Sequence, residues 1–586
     1  MSMNWRFSIK QAVFLCIIGF LLAGCYPYRQ ANGDTPGELR IHDIQGCSHQ
    51  SPYRGKEVSD LQGIVTRKVS NGFYIQDDQV DDQLCSSEAL FVFTGSYPDV
   101  LPEDLVIVSG VVDEYQPGAA QDHNLSLTQL IGPNIRVLAK QQPMPEAVLI
   151  GKGGLRIPDK VIDDDGLQNF EPTQDGIDFY ESLESMLVSV ESGIVVGSRN
   201  KYNEVVIIPD EVGIENFVSF TGALIEQEFD SNPERIILNL NNENREPIHV
   251  GARLVKKVTG VLDYSYGNYK VNVFGLAHFT SRIPEITSVE NSQDTLSILT
   301  YNVENLSRFE ESKIRSLAKE ISKILDYPDL IVLNEILDDS GIENDGEVSA
   351  DLTLSRLVEA IEATGGVYYR YIDNPPINNQ DGGIEGGNIR SVILYKEADL
   401  QIAQPGTGNL SENPNRIGPE EWPFSVTRKP LVALFDYGDK QFLVVAVHLT
   451  SRGADTPLFG NIQPIERPEQ EKRIAQAAYI RQYLEKIKQH NPQIPIIVVG
   501  DFNDDPWSQT VETLMGDLLV DTGNSLPENE RFSFVMDGNA VQLDYILFSQ
   551  GFDWVYSQQI IHLNTVLDHN RRISDHDPVL TFFTMP

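Results

Sequence analysis

The sequence is short of positive charge. Its 45 Lys and Arg stand against 85 Asp and Glu, a formal net charge of −40 over 586 residues. That excludes a protein that grips nucleic acid through its overall charge, because such binding rests on cations that neutralise phosphates. About half of the excess acid falls in the C-terminal half, so averaging hides no basic half. Cysteine is scarce as well: there are four, none in a CxxC pair, which argues against a structural zinc site. Beyond the first 25 residues no apolar run reaches the ~18 residues that signal a membrane-spanning helix. Disorder is excluded by a 41% hydrophobic and 9% aromatic content, and 44 Gly with 32 Pro point to β-rich domains with many turns. The length suffices for three or four domains with real cores. An acidic enzyme acting on a phosphate polyanion would need metal ions to offset charge at its site.

The leader carries Arg6 and Lys10 ahead of an apolar run over 12–22, the length of a signal h-region. It ends in Leu22-Ala23-Gly24-Cys25, which resembles the bacterial lipobox. The resemblance implies a lipoprotein signal peptide over 1–24, a lipidated Cys25 and a polar tether over 25–40; the alternative is an ordinary secretory signal that contains a Cys. Tyr26 follows in place of the Asp that retains such proteins at the inner membrane, so the expected address is the outer membrane or cell surface, with membrane contact through the lipid alone. Cys16 lies in the signal. The remaining pair, Cys47 and Cys85, is expected to form a disulfide in an exported chain.

Residues 41–145 read as short strands separated by turn signals. Gly63-Ile64-Val65-Thr66 and Gly72-Phe73-Tyr74-Ile75-Gln76 flank a turn at Asn71, and 90–93 and 106–112 come next. The pattern resembles an OB-fold, the small barrel that binds oligonucleotides. Arg67, Lys68, Phe73 and Tyr74 are contact candidates that read equally as core or edge residues. Residues 146–290 form a second β-rich region, where Val258-Thr259-Gly260-Val261-Leu262 with Gly267-Asn268-Tyr269-Lys270-Val271 echoes the first hairpin and suggests a second OB-like barrel. No chemistry is visible there, and its expected role is to position the C-terminal domain. From residue 295 to 586 apolar strand runs (296–300, 330–333, 442–447, 494–499) alternate with helical patterns over 311–325, 350–363 and 468–488.

Each strand run in this last region ends in polar residues, where α/β sites collect. The set is Tyr301-Asn302-Val303-Glu304-Asn305, Asn334-Glu335, His448, Gly500-Asp501-Phe502-Asn503-Asp504, Asp544 and Ser574-Asp575-His576-Asp577. Singly, each is an ordinary turn or cap residue. Together and in this order they resemble the endonuclease/exonuclease/phosphatase superfamily, with its deoxyribonuclease I-like fold, and the upstream barrel is similar to that of its extracellular bacterial nucleases. Gly386-Gly387-Asn388-Ile389-Arg390 and Arg428-Lys429-Pro430-Leu431 also read like that subgroup.

The resemblance implies an α+β chain whose C-terminal catalytic domain is a four-layer αββα sandwich preceded by β-rich OB-like barrels. It implies a metal-dependent phosphodiester hydrolase acting on DNA, with RNA as an alternative substrate, in a monomeric, exported protein. Glu335 would be the first metal ligand with Asn302 beside it, and Asp575 would complete the shell directly or through water. An oxygen donor set favours Mg²⁺, with Mn²⁺ or Ca²⁺ as alternatives. Asp501 would orient or deprotonate the attacking water and Asn503 would donate hydrogen bonds to the phosphate. His576 would contact the scissile phosphate, with Asp544 fixing its tautomer. His448 would serve the phosphate or leaving group from the other side, with Asp373 as a candidate acidic partner. Arg390 would bind a phosphate oxygen. Asp577 reads as a turn residue, His562 and His569 as solvated, and Asp504 and Asp505 as caps of the next helix. Two further readings remain: a phospholipid or phosphorylated-small-molecule hydrolase of the same fold, and an inactive binding lipoprotein.

Overall fold

A computed structural model describes residues 39–586 apart from 78, 82, 211–217, 281–283, 293 and 407–409. The proposed signal peptide, Cys25 and nearly all of the tether lie outside the described residues. Among the described residues no helix is long and apolar enough to cross a membrane.

Five strands (Glu57–Val69, Gly72–Gln76, Ala89–Phe93, Leu105–Tyr115 and Leu127–Ala139) close into a barrel, the fifth inserting between the third and fourth. Leu105–Tyr115 alternates inward and outward side chains, as period-two patterning requires. Gly72 is needed where the strands crowd: a Cβ there would lie 2.4 Å from the Val92 carbonyl oxygen. The expected Cys47–Cys85 disulfide is present and spans 38 residues. Phe73 belongs to the barrel core. Tyr74 donates to Asp263 Oδ2 (2.9 Å) and Arg67 to the Asn272 carbonyl (2.5 Å), so both face the next domain, not an open binding surface.

The region read as a second barrel differs from that expectation. Its strands form one eight-stranded sheet in the order Arg253–Leu254, Gly193–Gly197, Glu204–Pro209, Ile236–Asn239, Asn268–Val273, Val258–Ser265, Leu187–Val190, Val148–Ile150. The echoed hairpin forms as read, but each of its strands takes a further partner outward: Ile236–Asn239 joins Asn268–Val273 in parallel and Leu187–Val190 joins Val258–Ser265. Local hairpin patterning fixes two strands and leaves their outer neighbours open. The sheet's core is rich in tyrosine, with Tyr180 stacked on Tyr269 at 5.4 Å and Phe459 of the following domain packed against both.

The C-terminal region is a sandwich of two sheets. One runs Tyr369–Ile372, Arg390–Lys396, Leu330–Ile336, Leu296–Leu306, Val579–Thr584, Val555–Ile560. The other runs Gln401–Ile402, Leu431–Tyr437, Lys440–His448, Ile496–Asp501, Asp544–Ser549, Leu519–Asp521, with Asn415–Arg416 paired to Leu431–Tyr437. Near the middle of each lies a parallel pair, Leu296–Leu306 with Leu330–Ile336 and Lys440–His448 with Ile496–Asp501. Inward side chains such as Ile298, Val332, Val444 and Val499 form a single core between the sheets. Glu311–Lys319 and Asp351–Gly365 cover the outer face of the first sheet, and Gln470–His490 and Gln509–Met515 that of the second. These strands are buried on both faces, which is why they read as continuous apolar runs.

Candidate active site

The register of the parallel pairs collects the polar strand ends. Asn302 stands opposite Asn334 in one sheet, and in the other Asp501 stands opposite His448 on one side and Asp544 on the other. The approach is possible because Gly500 precedes Asp501: a Cβ at Gly500 would sit 1.9 Å from the Val447 carbonyl oxygen. In the first sheet the register shifts after Asn302 and Leu333 before pairing resumes at Leu306 and Ile336, and Glu304, Asn305 and Glu335 there, with Asn503 after the other sheet's Asp501, are all in the left-handed region (φ between 48° and 66°). Such backbone is costly for non-glycine residues and clusters at functional sites.

Asn302 is the hub. Its Nδ2 donates to Glu335 Oε1 and to Asp501 Oδ2, both at 3.1 Å, and its Oδ1 accepts from the Glu304 amide at 3.0 Å. The Asn305 amide donates to Glu335 Oε2 (3.1 Å), and the Asn503 amide to Asp501 Oδ1 (2.9 Å). His448 Nε2 lies 3.5 Å from Asp501 Oδ2 and 4.0 Å from Glu335 Oε1. On the other side His576 Nδ1 is 2.7 Å from Asp544 Oδ2. Ser574 Oγ, which accepts from the His576 amide (3.1 Å), donates to the Asn302 carbonyl (2.7 Å) and joins the two halves.

Burial sets the electrostatics. It pushes Asp501 up to about 7, reinforced by Asp544 and opposed by His576. Burial also drives the His448 imidazole well below its usual range, with Arg428 and His576 acting the same way. Burial opposes charge on His576, yet the Asp544 carboxylate, joined by Asp501 and Asp575, holds that imidazole well above its usual range. One site thus holds one imidazole kept neutral and one kept charged. His448 Nδ1, Asp544 Oδ1 and Arg428 Nε are buried without a hydrogen-bond partner among the described residues.

Seven of the residues singled out from sequence (Asn302, Glu335, His448, Asp501, Asn503, Asp544 and His576) therefore fall together. Asp575 is half-buried and acts electrostatically on Glu304 and His576. Arg390 is buried, with Nη1 on Asp373 Oδ2 (3.0 Å) and Nε and Nη2 on the Asn388 carbonyl (3.2 and 3.1 Å). Asp373 is thus the partner of Arg390 and not of His448. Asp577 is more than a turn residue: it is fully buried and accepts from the amides of Asn564 (2.7 Å) and Thr565 (3.1 Å) and pairs with His562 Nδ1 (2.8 Å). His562 in turn stacks on Phe532, so it is not solvated. Asp504 binds Arg473 (3.1 Å) and Asp505 binds Arg452 (2.7 Å) and Arg467 (2.6 Å), while Ser508 caps the following helix. Sequence reading missed Arg428 as a site residue. Its buried guanidinium is pulled down by burial and sustained first by Glu335 and then by Asp501.

Among the described residues no three His, Cys, Asp or Glu side chains form a cage for a metal ion. The donor set still suits a hard cation. Glu335 keeps a partly exposed carboxylate beside the Asn302 amide, and Mg²⁺ is held by one or two carboxylates, waters and substrate phosphate, not by an all-protein cage.

Residues 299–576 match the model of the Endonuclease/Exonuclease/phosphatase family, and residues 149–280 match a domain of unknown function (DUF8508). No curated protein matches the chain. Similar solved structures include a humanized D. rerio TDP2, 18% identical, covering 50% of this chain and 99% of that one with a TM-score of 0.34. The human Nocturnin catalytic domain with bound sulfate is 17% identical, covering 51% and 97%, at 0.35. An endonuclease/exonuclease/phosphatase family protein from Bacteroides thetaiotaomicron is 15% identical, covering 50% and 95%, at 0.33. The match to the Endonuclease/Exonuclease/phosphatase family model thus falls on the segment that carries the assembled site.

Proposed function

We propose that the chain is a divalent-metal-dependent nuclease that hydrolyses DNA phosphodiester bonds, exported and held at the cell surface by a lipid on Cys25. The observation that carries the catalytic part is the junction at Asn302, where the Glu335, Asp501 and His448 cluster meets the Asp544–His576 pair. Phosphodiester hydrolysis develops negative charge on the nonbridging and leaving oxygens. Charged His576 offers a donor to a phosphate oxygen, and Asp544 holds its tautomer. Asp501, with a pKa near 7, is suited to take a proton from water at neutral pH. Neutral His448 can donate or accept at the opposite side, and Asn503 supplies amide donors. Glu335, with Asn302 beside it, would hold Mg²⁺ (Mn²⁺ or Ca²⁺ as alternatives), which when bound supplies charge neutralisation for the phosphate. Arg390 is committed to Asp373 and Asn388, so its role here is to hold the 373–390 segment. The N-terminal barrel is read as OB-like, with the faces around Arg67 and Tyr74 serving domain packing.

The test is degradation of linear double-stranded DNA by the chain from residue 26 with Mg²⁺. Cleavage is expected; DNA left intact at high enzyme concentration would overturn the reading. One observation favours a second substrate class: the loop before buried Arg428 exposes the apolar side chains of Trp422 (57%) and Val426 (65%), which suit contact with a lipid surface. Hydrolysis of phospholipid in liposomes without DNA cleavage would establish that reading instead.

A further inference from the structure

The middle domain, residues 149–280, holds both segments that carry the Asp544–His576 pair. The first is a hairpin, Phe534–Met536 with Asn539–Val541. Leu224–Ile225 of the middle domain adds to it as a third strand, pairing in parallel with Asn539 and Ala540. Asn232 Nδ2 donates to Asn539 Oδ1 (2.8 Å), Asn539 Nδ2 to the Ser231 carbonyl (3.1 Å), and Arg235 to the Asp537 carbonyl. The hairpin tip is seated in the middle sheet: a Cβ on Gly538 would lie 2.8 Å from Val206 and 3.1 Å from Val196.

This hairpin reaches the site at its base. Ser533 Oγ accepts from the Asp544 amide (3.1 Å), the Ser533 carbonyl accepts from the Asp577 amide (2.7 Å), and Phe534 forms a β-bridge to His576 with ring centroids 4.8 Å apart. The second segment is the 564–569 loop. Asn564 Nδ2 donates to the His576 carbonyl (2.7 Å), and at the other end of the loop Arg199 Nε pairs with Asp568 (2.9 Å), whose amide donates to His249 Nδ1 (3.0 Å). Val250 donates to the Val566 carbonyl at 3.0 Å. Two separate sets of contacts from one domain thus converge on the same dyad.

We infer that the middle domain is a positioning element for His576 and Asp544, with Asn232, Arg235 and Arg199 as its positioning residues. A dyad held by long-range contacts is sensitive to small displacements, because reacting groups misplaced by about 1 Å lose rate on the order of 100-fold. The inference rests on the reading of His576 as part of the reaction, so its test has an arm that needs no activity.

The experiment compares wild-type full chain with Asn232→Gly, which keeps backbone freedom at a left-handed position (φ 54°), and with Arg199→Gln. Tyr269→Phe, which loses a buried bond to Glu181 inside the middle domain, controls for general destabilisation. With bis(p-nitrophenyl) phosphate as probe, Asn232→Gly is expected to lower kcat about 10-fold with KM within about twofold, and to cost nothing further in a His576→Ala background. Hydrogen exchange is expected to speed up at 534–541 and 572–578 while 296–306 keeps its wild-type protection. If Arg199→Gln fails to fold because Asp568 loses its partner, Asn232→Gly still decides. Wild-type exchange at 572–578, an additive loss in the His576→Ala background, or an equal kcat loss in Tyr269→Phe would overturn the inference. If the wild-type chain cleaves no diester, the proposed function fails and the exchange arm alone judges positioning.

Discussion

His448 and Asp501 are register partners on adjacent parallel strands, and their side chains meet with Nε2 3.5 Å from Oδ2. Both are buried, and burial neutralises each: the imidazole is pushed far down and the carboxyl is pushed up to about 7. In the proposed reaction the ionised carboxylate would be the proton acceptor, so activity should climb as pH rises through about 7. Asp501→Asn should lose that limb together with activity, by a factor on the order of 10²–10⁴. The pH dependence of kcat/KM for wild type and variant checks this.

Asp544 is fully buried and binds His576 through one oxygen while its amide is tied to Ser533. Asp544→Asn preserves shape and removes the charge that orients and charges the imidazole. A kcat loss on the order of 10³ with near-native thermal stability is expected, read by steady-state kinetics beside a melting curve.

Glu335 is the carboxylate best placed for a cation, held in a left-handed turn by the Asn305 amide and Asn302. Glu335→Gln should raise the Mg²⁺ concentration for half-maximal activity by about 10–100-fold, and calorimetric titration of Mg²⁺ should show the same weakening. Chelation should abolish wild-type activity, and Mg²⁺ should restore it.

Glu320 is half-buried beside Tyr301, whose hydroxyl donates to it at 2.9 Å, and desolvation of its carboxyl pushes it up to about 8. A carboxyl whose folded pKa is raised binds more protons folded than unfolded. Stability therefore falls as pH rises from about 4.5 toward 8. Glu320→Gln keeps an acceptor for Tyr301 and removes the partly desolvated charge. It should melt at the wild-type temperature at pH 4 and higher than wild type at pH 8.5, by an amount on the order of 2 kcal/mol, followed by calorimetry.

The site was legible because its residues end apolar strands and so stand out against continuous runs such as Ile496-Ile497-Val498-Val499 before Gly500-Asp501. The helices over 311–324, 351–365 and 470–490 obey the same logic, since their apolar spacing is local. What could not be read depends on distance along the chain. Arg428 stands in sequence only as part of the Arg428-Lys429-Pro430-Leu431 motif, and its place in the field of Glu335 and Asp501 appears only on folding. Asp373 reads as a partner for His448 until Arg390 closes on it, and His562 as solvated until Phe532 covers it. The eight-stranded sheet escaped because one hairpin does not reveal which strands pair outside it.

The most direct test incubates the chain from residue 26 with closed circular DNA in Mg²⁺, beside a chelated sample and a His576→Ala copy. Metal-dependent nicking that disappears in the variant is the expected result. Circles left intact by the wild type while phospholipid or a small phosphate ester is hydrolysed would contradict a DNA-cleaving nuclease, and nicking retained in His576→Ala would contradict the assigned site.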